Sequence, residues 1–139
     1  MSILREREAT IGRAIDLDKP VILPKPFKDV LSKSGENSLL LVCDPNKNCV
    51  RMFPVSASRR ILKFSLQLRE LAPTFLQELR AILAKNRVKT LYSSGICLRG
   101  GDCYYEGYID EQEYISLEDF KVDLKNISGL FKVSIEFVM

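Results

Sequence analysis

The chain has 139 residues, 46% hydrophobic and 28% charged. That is a soluble globular composition, long enough to bury at least one core in one domain or two small ones. It has no histidine and no tryptophan, which removes the usual neutral-pH general base and excludes Ser-His-Asp, Cys-His and HExxH sites. No apolar run reaches membrane-spanning length, and the opening MSILREREATIG is charged with no apolar core behind it. The sequence therefore predicts a cytoplasmic protein without signal peptide, membrane partner, cofactor, metal or enzymatic activity.

In chain order, residues 1–8 are polar and predicted to fray. Ile11 to Leu17 alternates Ile11, Arg13, Ile15 and Leu17 against Gly12, Ala14 and Asp16, which predicts a strand. Asp18-Lys19-Pro20 turns the chain, Val21-Ile22-Leu23 extends it, and Pro24-Lys25-Pro26 opens a short helix with Phe27, Val30 and Leu31 as its buried stripe. Ser34-Gly35 stops that helix. Ser38 to Cys43 and Cys49 to Phe53 read as two strands around the turn-rich Asp44-Pro45-Asn46-Lys47-Asn48, with Pro54 ending the second. Four short strands and one helix make too small a core for a secure monomer. The small, polar Val55 to Arg60 marks the domain boundary, giving domains 1–56 and 57–139.

The second half begins with Leu62, Phe64, Leu66 and Leu68 alternating with polar residues, a half-buried strand. Phe75, Leu76, Leu79, Ile82 and Leu83 then recur at helical spacing, with Glu78, Arg80 and Lys85 on the wet side. Val88 to Cys97 and Cys103 to Ile109 are two strands around Leu98-Arg99-Gly100-Gly101-Asp102. After the acidic loop Asp110-Glu111-Gln112-Glu113, Ser116 with Asp119 looks like an N-cap and an acidic N3 residue. Leu117, Phe120, Leu124 and Ile127 share one helical face, and Ser128-Gly129 ends the helix. Phe131, Val133, Ile135 and Phe137 alternate with Lys132, Ser134 and Glu136 in a last strand. The order β-α-β-β-α-β predicts an α+β, ferredoxin-like unit in which two helices cover one face of a four-stranded antiparallel sheet.

Charge is uneven: residues 1–60 carry +4 and residues 61–139 carry −1. The run RAIDLDKPVILPKPFKDVL, with Leu23-Pro24-Lys25 and a later Pro54 after two strands, resembles the AbrB-type swapped-hairpin domain. The resemblance implies a β-rich, intertwined dimer that binds DNA, with Arg13, Lys19, Lys25 and Lys28 as candidate phosphate contacts; Lys19-Pro20 stands where that family carries Gly-Arg. Residues 61–139 resemble the ACT domain in element order and in Leu71-Ala72-Pro73-Thr74-Phe75-Leu76, where Pro73 and Leu76 match the family's loop. That resemblance implies a small-effector site at a dimer interface near the loop between first strand and first helix. The candidates there are Leu71, Pro73, Thr74 and Phe75, with Ser93, Ser94 and Arg99 nearby. Leu71 replaces the acidic or amide residue that would hold an ammonium, so the pocket is expected to prefer an anionic or neutral ligand. Thr74 is expected to share in the helix cap, and Arg99 to meet a carboxylate.

Cys43-x5-Cys49 and Cys97-x5-Cys103 each flank a predicted hairpin turn. Three readings stay open: small buried apolar residues, cross-strand disulfides, or, if the domains met, a four-thiolate metal site. Tyr92, Tyr104, Tyr105 and Tyr108 with Ser93, Ser94 and Glu106 form a polar, aromatic cluster suited to a ligand floor or a partner subunit. The combined expectation is a dimeric or higher-order transcriptional regulator, a DNA-binding first domain coupled to an ACT-like effector-sensing domain. The alternative is a ligand- or protein-binding regulatory module that never touches nucleic acid.

Overall fold

A computed structural model of the chain describes residues 10–112 and 114–138. The chain divides into two compact units, Met1–Ala57 and Ser58–Met139.

In the first unit, helix α1 (Lys25–Leu31) begins at a proline-bearing first turn and runs into a 3-10 turn, Ser32–Ser34, which Gly35 closes at φ 79°. The positive φ is the reason a glycine serves there. Of the expected stripe, Phe27 and Leu31 are half-buried, whereas Val30 is exposed. Strands β1 (Ser38–Asp44) and β2 (Cys49–Val55) form an antiparallel hairpin. Pro54 lies inside β2, opposite Leu39, rather than ending it; a proline is tolerated on an edge strand, where alternate N–H groups face away from the ladder. The strands expected at Ile11–Leu17 and Val21–Leu23 are absent, and Ile15, Leu17, Val21 and Ile22 are exposed, Leu17 by 87%. A strand is held by its ladder, and no described residue pairs with either segment.

The second unit is β3 (Ile61–Leu68), α2 (Pro73–Lys85), β4 (Thr90–Cys97), β5 (Cys103–Asp110), α3 (Leu117–Lys125) and β6 (Leu130–Phe137). Its sheet order is β4-β5-β3-β6 with every pairing antiparallel. The first and third strands of the unit are thus central, and the architecture is α+β and ferredoxin-like. Alternation in β3 puts Leu62, Phe64, Leu66 and Leu68 under the helices, all essentially buried. They meet Phe75 and Leu79 from α2 and Phe120 and Leu124 from α3 in one core. Ser116 caps α3, its hydroxyl accepting the Asp119 N–H at 3.3 Å, and acidic Glu118 and Asp119 occupy the first turn where the helix dipole favours them. At the centre, Gly107 faces the Phe64 ring across the β3–β5 ladder. A Cβ there would come within 2.4 Å of two ring carbons, so the absence of a side chain is what admits the ring. Phe64 stands edge-on to Phe120, with centroids 5.7 Å apart.

Candidate functional site

The loop between β3 and α2 does emerge beside the β4–β5 hairpin, because β3 and β5 are paired along their length. Gln67 Nε2 donates to Asp102 Oδ2 at 3.0 Å across that junction. The expected ligand residues differ in burial and in the face that they occupy. Phe75 is buried against Tyr105, edge-on at 5.5 Å, and Leu71 packs against the same core. Both are structural. Pro73 and Thr74 are exposed on the first turn of α2. Thr74 is not the cap: the helix starts at Pro73, with Ala72 as N-cap and no side-chain cap bond. Ser93 and Ser94 point to opposite faces of the sheet, since Ser93 pairs with helix-side Gly107 and Ser94 with Glu106 on the open face. Arg99 is exposed at the hairpin tip. Leu71 thus substitutes packing for the polar contact that a ligand's ammonium needs.

The two cysteine pairs differ by one residue of register. Cys97 and Cys103 are direct cross-strand partners and are joined in a disulfide, Cα–Cα 4.0 Å. In the other hairpin Asp44 pairs with Cys49 and Val50 with Cys43. Cys43 and Cys49 therefore lie on opposite faces and are free thiols. The disulfide that their spacing allowed between Cys43 and Cys49 is corrected by this register. Among the described residues, no group of three or more Cys, Asp or Glu is placed to hold a metal.

The open sheet face carries Tyr92, Tyr104 and Tyr108 together with Lys63 and Glu106, all half-buried. Lys63 Nζ lies 3.1 Å from Glu106 Oε2 and 5.8 Å from the centre of the Tyr108 ring. Burial alone depresses the Lys63 ammonium. The Glu106 hydrogen bond and charge, with Tyr108 and Glu136, outweigh burial together and leave its pKa above the ordinary 10.5.

A cleft of about 310 Å³ opens on the opposite side, between α2 and α3. Ala81, Ile82 and Ile127 make its apolar floor, and Glu78, Lys85, Asp123 and Asn126 its polar rim. Both ends of the rim are fixed. Glu78 accepts from the Ser128 backbone N–H at 3.0 Å and its hydroxyl at 3.1 Å. Asp123 accepts from Asn86 Nδ2 at 2.9 Å and Lys85 Nζ at 3.2 Å. The Asn86 hydrogen bond, then that of Lys85, holds the Asp123 carboxyl below its ordinary pKa. By helical periodicity alone, Glu78 and Lys85 fall on a solvated face. The available signal was Glu78, Ala81, Ile82 and Lys85 at i, i+3, i+4 and i+7, a stripe with a small residue at its middle.

The proposed DNA contacts are all exposed: Arg13 and Lys19 on the non-strand segment, Lys25 and Lys28 on α1. Arg13 Nη1 donates at 2.8 Å to the carbonyl of its neighbour Gly12. Among the described residues no helix is long and apolar enough to cross a membrane.

No family model matches the chain, and no curated protein matches it. Solved structures do. An uncharacterized Thermotoga maritima protein, TM1266, is 12% identical with a TM-score of 0.46, covering 58% of this chain and 99% of its own. The C-terminal domain of the MgtC protein from Mycobacterium tuberculosis is 11% identical with a TM-score of 0.48, covering 60% of this chain and 92% of its own. A formyltetrahydrofolate deformylase from Pseudomonas putida is 12% identical with a TM-score of 0.45; the match takes in 57% of this chain and only 28% of the deformylase. At such identities and scores these likenesses carry no argument, and the ferredoxin-like assignment rests on the chain's own strand order.

Proposed function

We propose that the chain is a non-catalytic regulatory module that works as a homo-oligomer, its ACT-like second unit binding a small effector between α2 and α3. The cleft of about 310 Å³ carries this reading. It is an open groove at the lower end of the size range of small-molecule sites, with an apolar floor and a few fixed polar groups. The carboxylates of Glu78 and Asp123 are already oriented by partners within the unit. A ligand with an apolar body and a hydrogen-bond-donating or cationic end meets complementary chemistry at that rim. This differs from the site that the ACT resemblance implies, and it reverses the preference for anions argued from Leu71.

A thermal-shift screen of amines, amino acids, carboxylates and nucleotides tests the proposal, since a ligand of the native state raises the midpoint by mass action. Ala81→Trp, filling the exposed floor, is expected to abolish the shift and to leave the unliganded midpoint nearly unchanged. A ligand whose shift survives Ala81→Trp binds elsewhere and overturns the assignment. DNA binding through Arg13, Lys19, Lys25 and Lys28 is the lesser proposal, because two of the four sit on a segment with no strand platform. It requires a gel shift whose salt slope falls in the Arg13→Ala, Lys19→Ala, Lys25→Ala triple variant.

A further inference from the structure

From the pattern of β6 we infer that two copies of the chain join antiparallel, edge to edge through β6, with the two-fold axis at Ser134. The sheet would thereby continue from one protomer into its partner. This rests on the homo-oligomeric part of the function proposed above and supplies its interface.

β6 is an edge strand, so among the described residues one side of its backbone has no ladder partner in the sheet. Which groups face outward follows from its inner ladder. Val138 N–H donates inward to Ile61 O at 2.8 Å. Antiparallel strands alternate in steps of one residue. Glu136, Ser134 and Lys132 therefore bond inward to β3, while Phe137, Ile135 and Val133 aim N–H and C=O at the edge. A two-fold axis at Ser134 pairs Val133 with Ile135 of the partner subunit, so outward-facing groups meet outward-facing groups.

The same axis sets Lys132 opposite Glu136 of the partner subunit, twice by symmetry, on the open face. On the helix face, Val133 and Ile135 become cross-strand neighbours. Moving the axis by one residue step in pairing, to Val133 or Ile135, keeps the backbone parity but loses both charge pairs. The pairing is confined to about residues 132–136, because a bulge interrupts the β3–β6 register next to Lys132. A perpendicular two-fold keeps both helical layers on one side of the joined sheet.

Apolar exposure points to the same edge. Of the seven large hydrophobic side chains exposed in the described part of this unit, four are Val122, Phe131, Phe137 and Val138, on β6, just beyond its end, or on α3, which packs beside it. Phe131 and Phe137 are 50% and 55% exposed. The opposite edge, β4, offers no such code: from Thr90 to Cys97 it has no charged residue, and a register shift disturbs it between Thr90 and Tyr92.

The test is charge reversal in the full chain, read by sedimentation over a concentration series. Lys132→Glu and Glu136→Lys each turn two attractions into two repulsions and should weaken the dimer roughly tenfold or more. The double variant Lys132→Glu, Glu136→Lys should restore it. Glu136 also faces Lys63 within its own sheet, so Lys132→Glu, which faces the neutral Gln67, is the cleaner single change. Ser134→Cys adds a readout of register: on mild oxidation it should give a disulfide-linked dimer mapped by peptide mass to residue 134. A dimer indifferent to both reversals, or one whose residue 134 does not crosslink, overturns the β6 interface and leaves the oligomeric proposal standing. A monomer at all concentrations overturns both.

Discussion

Gly107→Ala is the sharpest test of how the core is built. The added methyl would sit 2.4 Å from Cε1 and Cζ of Phe64, more than an ångström inside normal contact. Phe64 has little room to yield: it is fully buried, edge-on to Phe120 at 5.7 Å and stacked near Tyr105 at 6.4 Å. Overpacking of a filled core costs about 1–3 kcal/mol, and a boxed-in ring belongs at the upper end, about 3 kcal/mol. For a domain of roughly 80 residues that lowers the melting midpoint by about 12–24 °C. Gly101→Ala is the control, since its Cβ would meet nothing closer than 3.6 Å; its midpoint should change little. Adding Phe64→Leu to Gly107→Ala should recover part of the loss if the ring is the cause, a coupling that a double-mutant cycle reads directly. Urea unfolding followed by circular dichroism gives the free energies. A cost for Gly107→Ala below about 0.5 kcal/mol, or strict additivity with Phe64→Leu, would refute the packing argument.

Three further outcomes are expected. Oxidised protein should show two alkylatable thiols, Cys43 and Cys49, and the Cys97→Ser, Cys103→Ser variant should lose about 2 kcal/mol in urea unfolding, the loop-closure value for so short a loop. Lys63 has a raised pKa in the folded state, so its contribution is complete below the unfolded value and is lost as pH rises through the folded one; Lys63→Met should flatten the fall in stability measured above about pH 10. Replacing Ser116 by Ala removes the cap of α3 and should cost about 1 kcal/mol, whereas Thr74→Ala, which removes no cap, should cost less than about half of that.

Much of the second unit was legible because its signals are local. Period-two alternation in β3 and β6, period 3.6 in α2 and α3, and the Ser116 cap each reside within one segment, and the six elements appear in the order read from them. The first unit was less so: Ile11 to Leu17 has the alternation of a strand, but alternation states only which side chains suit a face, not that a ladder partner exists. Its segment remains unpaired among the described residues. Ser93 and Ser94 are neighbours in sequence, yet adjacent residues of a strand necessarily part company across the sheet.

The sequence by itself determined the element order of the second unit, the polar and apolar face of each element, and the absence of imidazole chemistry. All of these follow from residue type and short-range spacing. Only the tertiary structure decided which C-x5-C pair closes, because identical spacings differ once hairpin register puts Cys97 opposite Cys103 but Cys43 opposite Val50. It likewise decided that Phe75 is core with Leu71 packed against it, and that Glu78 and Asp123, 45 positions apart in sequence, rim one cleft. Such facts depend on where two segments meet, and that is set by the packing of the whole sheet against both helices, not by the residues of either segment.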